Sequence, residues 1–355
     1  MTINVADIPL GFGTYGLSNS GNFTGVQVKQ AYDLGFRLFD TAENYGESES
    51  VLGSALKGKD ALICSKFSPE NSGAKAIEES CVRSLRHLQR DVIDIYQMHW
   101  PSVGCGIELI AERMLKLIEK QYVRKLGFCN ITARQFDSIK AIVPPDYLSC
   151  VQLEYSLDMR QSAEDFLAEI TPYSIPLLAY SPLSQGAIRS ASVFNAVNAI
   201  ASRHGVSWTT IVLSWLLRRP GTIIPIPKTS SRRRMVDFLK AIELDLPDCD
   251  LDEITALSSP RVIELFASEI VVTQFGMQAR SAYTSVEEAI ENHLGLCPSP
   301  LELAEQIRNG LEVGLIKVAR INGGYKLMEG RLKYWAWRLA FDDRRPIKAI
   351  EVDDA

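Results

Sequence analysis

Histidine is scarce in this 355-residue chain, four in all, which argues against a histidine-rich metal site. Cysteine offers no substitute. The seven cysteines, at 64, 81, 105, 129, 150, 249 and 297, are scattered and odd in number, and no C-x-x-C pairs them. Several fall inside apolar runs such as "LICSKF" and "LSCVQL", so they read as reduced, buried thiols of a cytoplasmic protein. A basic surplus is missing too: 38 Lys and Arg face 43 Asp and Glu, a net charge of −5, so no global field recruits nucleic acid or anionic lipid. No apolar run approaches the roughly 20 residues that cross a bilayer. The opening "MTINVADIPLGFG" has neither the charged nor the apolar region of a secretion signal. Finally, "GFGTYG" (11–16) is not a G-x-G-x-x-G that opens onto a helix, which counts against a doubly wound open sheet.

What the chain does have is alternation. Short apolar runs at 10–15, 35–40, 61–67, 92–99, 125–130, 149–155, 175–181 and 222–228 read as strands. Between them lie helical patterns at 24–34, 47–57, 73–88, 106–120, 132–141, 161–170, 192–203 and 207–218. In "SGAKAIEESCVRSLRHL" the 3.6-residue period runs through Ile77, Cys81, Leu85 and Leu88. Eight rounds of strand and helix imply parallel strands with crossover helices, and the fold class expected is α/β, a (β/α)8 TIM barrel over 1–260. The pattern changes after "LDEITALSSP". Residues 261–355 mix helix, strand and turn signals closely, with a capped helix at Ser299–Glu302 and a hairpin turn at "NGG" (322–324), and are expected to form a small α+β C-terminal domain.

Chemistry in such a barrel sits at the C-terminal ends of strands. Those ends carry Asp40, Lys66, His99, Asn130, Gln152, Ser181 and Lys228. Each has an ordinary explanation alone: a helix cap, a solvated strand end, a structural histidine. Those explanations weaken together, because the barrel gathers all seven around one mouth. Tyr45, five residues beyond Asp40 in "LFDTAENYG", adds a phenol. A free phenol, with a pKa of about 10, is a poor acid at neutral pH, and a neighbouring ammonium lowers that value. Lys66 supplies the ammonium, and a buried ammonium needs a partner such as Asp40.

The segments "FDTAENYG", "SKF", "YQMHWP", "GFCN", "VQLEYS", "YSPLSQG" and "IPIPKTSSRRR" occur in that order and, over about residues 7–260, resemble the aldo-keto reductase family. The resemblance implies reduction of an aldehyde or ketone, with Asp40, Tyr45, Lys66 and His99 as the catalytic tetrad. It also implies a nicotinamide cofactor. Asn130 and Gln152 would hold the carboxamide, and Ser181, Leu183 and Gly186 would line the pyrophosphate turn. Lys228, Thr229, Ser230 and Arg234 would grip the adenosine phosphate. Tyr180 reads as out of phase with the pocket, and Phe238 stands where an Asn or Gln often meets the adenine, so stacking is expected there. Arg232, Arg233 and Arg234 follow a serine N-cap. Cations at a helix N-terminus oppose the macrodipole, and a bound phosphate reverses that sign, so NADPH is expected over NADH. Tyr15 and Trp100 are the substrate-side candidates. The connection after "YSPLSQG" is short, so a large loop covering the cofactor is not expected.

The segment 298–355 resembles the ParB/sulfiredoxin-like domain: helix, strand, turn, strand, then "EGRLKYWAW", a glycine and basic residues opening a helix. The resemblance implies phosphate binding through Gly330, Arg331 and Lys333, although Leu332 and Lys333 replace the family's usual basic pair. Absence of cysteine there counts against sulfiredoxin chemistry. Two functions from different classes follow. One is an NADPH-dependent carbonyl reductase acting on a small molecule. The other is a non-catalytic NADP(H)-binding, redox-sensing or regulatory barrel whose C-terminal domain takes a nucleotide or a protein partner.

Overall fold

The computed structural model describes residues 5–102, 104–188, 190–258, 261–272, 283–292, 298–311 and 313–352. Eight strands lie side by side in chain order: β1 (Phe12–Gly13), β2 (Leu38–Asp40), β3 (Leu62–Phe67), β4 (Ile93–Met98), β5 (Val123–Cys129), β6 (Leu148–Glu154), β7 (Leu177–Tyr180) and β8 (Ile223–Pro225). Each pairs with the next in parallel. The sheet curls until its ends meet: Gly11 N–H donates to Pro225 O at 2.9 Å and Gly13 N–H to Pro227 O at 3.0 Å. A Cβ on Gly13 would come within 2.9 Å of Ile226 O, so this approach needs glycine.

The connecting helices are α1 (Gly25–Leu34), α2 (Ser48–Ala55), α3 (Ala74–Leu88), α4 (Ile107–Glu119), α5 (Ala133–Ile142), α6 (Gln161–Ile170), α7 (Ala191–His204) and α8 (Trp208–Leu217), followed by α9 (Arg232–Glu243) and α10 (Asp248–Leu257). The amphipathic period read in α3 is its packed face: Ile77, Cys81, Leu85 and Leu88 are all buried.

Strand alternation positions the site. Leu38, Cys64, Ile95, Cys150, Leu178 and Ile224 form one cluster inside the barrel, with Val5 and Ile8 joining it from the N-terminal segment. Burying each such aliphatic side chain contributes about 1.5–3 kcal/mol. Side chains repeat faces every second residue. Two residues beyond the cluster, on the same inner face, come Asp40, Lys66, Gln97, Gln152 and Tyr180. An apolar floor therefore carries a polar layer above it.

By compactness the chain divides into Met1–Ala187 with Asn195–Leu257, and Ile188–Phe194 with Ser258–Ala355. The grouping of Ile188–Phe194 with the second unit is announced by no sequence signal. That unit holds β9 (Arg261–Leu265), β10 (Ile270–Val271), β11 (Ile316–Ile321), β12 (Gly324–Glu329) and β13 (Ile347–Val352) in a mixed sheet ordered β10-β12-β11-β13-β9. Its helices are α11 (Val286–Glu291), α12 (Pro300–Arg308) and α13 (Arg331–Phe341). Asn322 and Gly323, the latter at φ 89°, turn β11 into antiparallel β12. Ser299 caps α12, its hydroxyl accepting the Glu302 N–H while the Glu302 carboxylate accepts the Ser299 N–H. Buried Tyr283, Tyr334 and Trp335 give the unit its own core, and Trp335 Nε1 donates to Tyr283 O at 3.0 Å. Among the described residues the cysteines are free thiols, and no helix is long and apolar enough to cross a membrane. Cys297 lies outside the described residues.

Candidate active site

The inner polar layer is built on one buried ion pair. Lys66 Nζ, at the end of β3, donates to Asp40 Oδ2 at 2.6 Å and to Thr41 O at 2.7 Å. Lys66 is fully buried. Burial opposes its charge, but Asp40 and Tyr45 outweigh that and hold the ammonium above its usual value. Gln152 Nε2 donates to the other oxygen of Asp40 at 2.8 Å, so both carboxylate oxygens are engaged. The Tyr45 ring stands over this pair, with Lys66 Nζ 5.0 Å from its centroid.

His99 packs edge-on to Tyr45, centroids 5.6 Å apart. Burial, assisted by the Lys66 charge, pushes its pKa down to about 3, so the ring is neutral at physiological pH. Tyr45 behaves otherwise than the sequence argument expects. Lys66 does pull the phenol down, but burial is the larger influence and the net shift is upward. The tetrad residues are thus brought together, with a phenol that stays protonated. Among the described residues no cluster of His, Cys, Asp and Glu could hold a metal ion.

Further around the mouth, Asn130 is locked between strands. Its Nδ2 donates to His99 O at 3.0 Å and its Oδ1 accepts Tyr180 Oη–H at 2.9 Å. The turn after β7 is strained: Ser181, Ser184, Gln185 and Gly186 all have positive φ, and Gly186 N–H bonds Leu183 O at 2.8 Å. Such non-glycine left-handed residues persist only where their surroundings impose them, and they concentrate at ligand sites.

Past β8, Lys228 lies over the Phe23 ring at 4.9 Å. Thr229 is buried and accepts the Ser231 N–H, while Ser230 is exposed. Ser231 is the N-cap of α9, so Arg232, Arg233 and Arg234 occupy its first turn, where no acid stands. Three exposed cations at the positive end of a helix, with no carboxylate partner among the described residues, suit a multivalent anion.

A model of the aldo/keto reductase family matches residues 9–259. The chain belongs to the aldo/keto reductase family. Methylglyoxal reductase YeaE of Escherichia coli is 31% identical to it over 230 residues, 63% of this chain and 80% of that protein. The 6-dehydroglucose reductase of Novosphingobium aromaticivorans is 26% identical over 270 residues, 68% of this chain and 88% of that one. A crystal structure of an aldo/keto reductase from Klebsiella pneumoniae, in complex with NADP and acetate, superposes with a TM-score of 0.66 at 26% identity, covering 71% of this chain and 92% of that one.

In this aldo/keto reductase two further sequence readings need correction. Tyr180 is not out of phase: it shares its face with the interior residue Leu178 and reaches Asn130. Phe238 does not await a stacking adenine, because it lies buried with Met235 and Ala241 on the packed face of α9. The substrate-side aromatics divide. Tyr15, 69% exposed, stands edge-on to Tyr45 at 5.1 Å, whereas Trp100, 42% exposed, sits on the rim after β4 with no aromatic contact among the described residues. Sequence reading also missed Glu43, whose carboxylate accepts Ser68 N–H at 2.6 Å and Asn71 Nδ2–H at 2.7 Å and so ties the Tyr45 loop to the segment after Lys66. Its place between Asp40 and Tyr45 was the available signal. The connection after β7 is short, as expected, with α7 beginning at Ala191.

The family match stops before the second unit. There, Gly330 caps α13 in the left-handed region at φ 92°, and a Cβ on it would meet Ile316 Cγ2 at 2.9 Å. Arg331 and Lys333 lie in the first turn, half-buried, and a Cβ on Gly314 would lie 3.1 Å from Lys333 Nζ. Close packing against β11 therefore accounts for the glycine without a ligand.

Proposed function

We propose that this protein reduces an aldehyde or ketone to an alcohol with NADPH. The observation that carries the reading is the buried Lys66–Asp40 pair at 2.6 Å beneath the Tyr45 ring. When bound, the reduced nicotinamide supplies the hydride. The Tyr45 phenol gives its proton to the carbonyl oxygen, and Lys66 stabilises the phenolate left behind. Asp40 and Thr41 O hold Lys66 in place. Neutral His99 donates a hydrogen bond to the oxygen as charge builds there, without carrying charge itself. Asn130 and Gln152 would hold the carboxamide, with Ser181, Leu183 and Gly186 along the pyrophosphate and Lys228, Thr229, Ser230 and Arg234 around the adenosine phosphate. The exposed, carboxylate-free cations of α9 favour NADPH over NADH, in keeping with the NADP held by the Klebsiella pneumoniae relative. Tyr15, edge-on to Tyr45, would face the substrate. The test is NADPH oxidation with a panel of aldehydes and ketones beside Tyr45→Phe, expected to be slower by roughly 10²–10⁴-fold. If wild type and variant are equally slow with every carbonyl, the reductase reading fails and the regulatory barrel replaces it.

For the C-terminal unit, the order α12, β11, β12, α13 supports the ParB/sulfiredoxin-like reading on arrangement alone. Calorimetric titration of the full chain with ATP and CTP, with NADP saturating the barrel, tests it. No heat with either removes nucleotide binding.

A further inference from the structure

Three hydroxyls under the barrel mouth form a chain that begins and ends on the adjacent residues Asp40 and Thr41. Thr41 Oγ1 lies 2.8 Å from Ser48 Oγ. Ser48 Oγ lies 2.7 Å from Thr14 Oγ1 and 3.1 Å from Thr14 O. Thr14 Oγ1 donates to Asp40 O at 2.8 Å, and Thr14 N–H donates to the same oxygen at 3.0 Å. All three residues are fully buried. The donors can be placed in only one continuous sense, because a carbonyl cannot donate. Thr14 gives its proton to Asp40 O, Ser48 gives its proton toward Thr14, and Thr41 gives its proton to Ser48. Thr14 follows β1, Thr41 follows β2 and Ser48 opens α2, so the chain joins three elements at one peptide.

The same two residues carry two acceptors of Lys66: the Asp40 carboxylate and the Thr41 carbonyl. We propose that Thr14, Ser48 and Thr41 are positioning residues that fix Lys66 beneath Tyr45 by clamping the Asp40–Thr41 segment at its backbone and side chain. The proposal rests on the tetrad reading given above. Water would hydrogen-bond these groups equally well in an open loop, so a buried closed chain serves rigidity, and small displacements at such a site are costly in rate.

The groups facing Tyr45 set the expected readout. Burial raises its pKa most, Lys66 lowers it, Asp40 and Cys129 raise it, and the His99 and Tyr15 rings pack on it. A Lys66 held less firmly lowers it less. Thr14→Val removes the hydroxyl at nearly constant volume and keeps the backbone bond to Asp40, while Thr14→Ser keeps the hydroxyl. Thr14→Val should lower kcat about tenfold and move the alkaline limb of kcat against pH upward. NADPH affinity should hold within about twofold. Thr14→Ser should restore both, and Thr41→Val, which cuts the chain at its other end, should give the same displacement. A wild-type limb in both valine variants, or a rate loss with the limb unmoved, overturns the clamp. Titration of Tyr45 by NMR of ¹³C-tyrosine-labelled, cofactor-free protein, assigned with Tyr45→Phe, reads the same displacement without any carbonyl. If Tyr45→Phe equals wild type in rate, the tetrad reading falls, and the NMR titration still decides the clamp.

Discussion

Two regions of the barrel treat positive charge in opposite ways. At the barrel mouth Lys66 is fully buried, and hydrogen bonds join it to the carboxylate of Asp40 and the carbonyl of Thr41. At the start of α9, Arg232, Arg233 and Arg234 are exposed on a helix N-terminus, and no carboxylate answers them among the described residues. The first arrangement is complete before any ligand arrives, because an unpaired charge in that setting would be discharged. The second is incomplete by design, because solvated cations cost little to leave unpaired. On the proposed reading, chemistry is prearranged in the first region, and affinity is held ready in the second.

The sharpest way to break the contrast is Lys66→Met. It removes the charge that stabilises the Tyr45 phenolate, so kcat should fall roughly 10³-fold. It also strands the Asp40 carboxylate in the interior with Gln152 as its one remaining side-chain partner among the described residues, at a cost of about 3–5 kcal/mol in stability. Loss of rate without a fall in denaturation midpoint would show that Asp40 does not depend on Lys66.

The second region should answer in affinity alone. Arg234→Ala is expected to weaken NADPH binding about tenfold, the worth of one charge-assisted contact, with NADH affinity and unfolding midpoint unchanged. Added salt should repeat the effect in wild type, since exposed charges are screened and buried ones are not. Equal dissociation constants for NADPH and NADH in wild type would remove the phosphate reading.

How much of this could be read from the sequence follows the same division. The strands were legible because apolar runs of parallel strands are nearly continuous, and their ends gave Asp40, Lys66, His99 and Gln152. The phase of Tyr180 is obscured in the sequence because the turn residue Ser181, at φ 49°, reads as a continuation of the strand, and that shifts the alternation by one. Phe238 was legible and missed: Met235, Phe238 and Ala241 repeat every three residues, the stripe of a packed helix. The Gln152–Asp40 bond, between residues 112 positions apart, and the hydroxyl chain of Thr14, Ser48 and Thr41 were beyond any pattern, because only the closed barrel brings them together. The upward shift of Tyr45 belongs there too, since it measures burial against a neighbouring charge.

His99 sharpens the comparison by supplying a third case, a titratable group that is mostly buried and has no carboxylate partner among the described residues. Lys66 keeps its charge by pairing and the arginines keep theirs by exposure, whereas His99 gives its charge up. With a pKa near 3, only about 1% of it is protonated at pH 5. Reductase kcat should therefore change less than about twofold between about pH 5 and pH 8 on its account, where an ordinary histidine would titrate across the middle of that range. Stability carries the sign in the other direction. The unfolded chain takes up a proton at this ring below about pH 6.5, and the folded chain does not until about pH 3. Between those values the unfolded state binds more protons, so stability is lost as pH falls through that window and is fully present above it. His99→Asn should flatten that part of the stability curve. A ¹⁵N resonance of His99 that moved near pH 6.5 would show a ring open to water, and the neutral hydrogen-bond donor would have to be replaced by an acid.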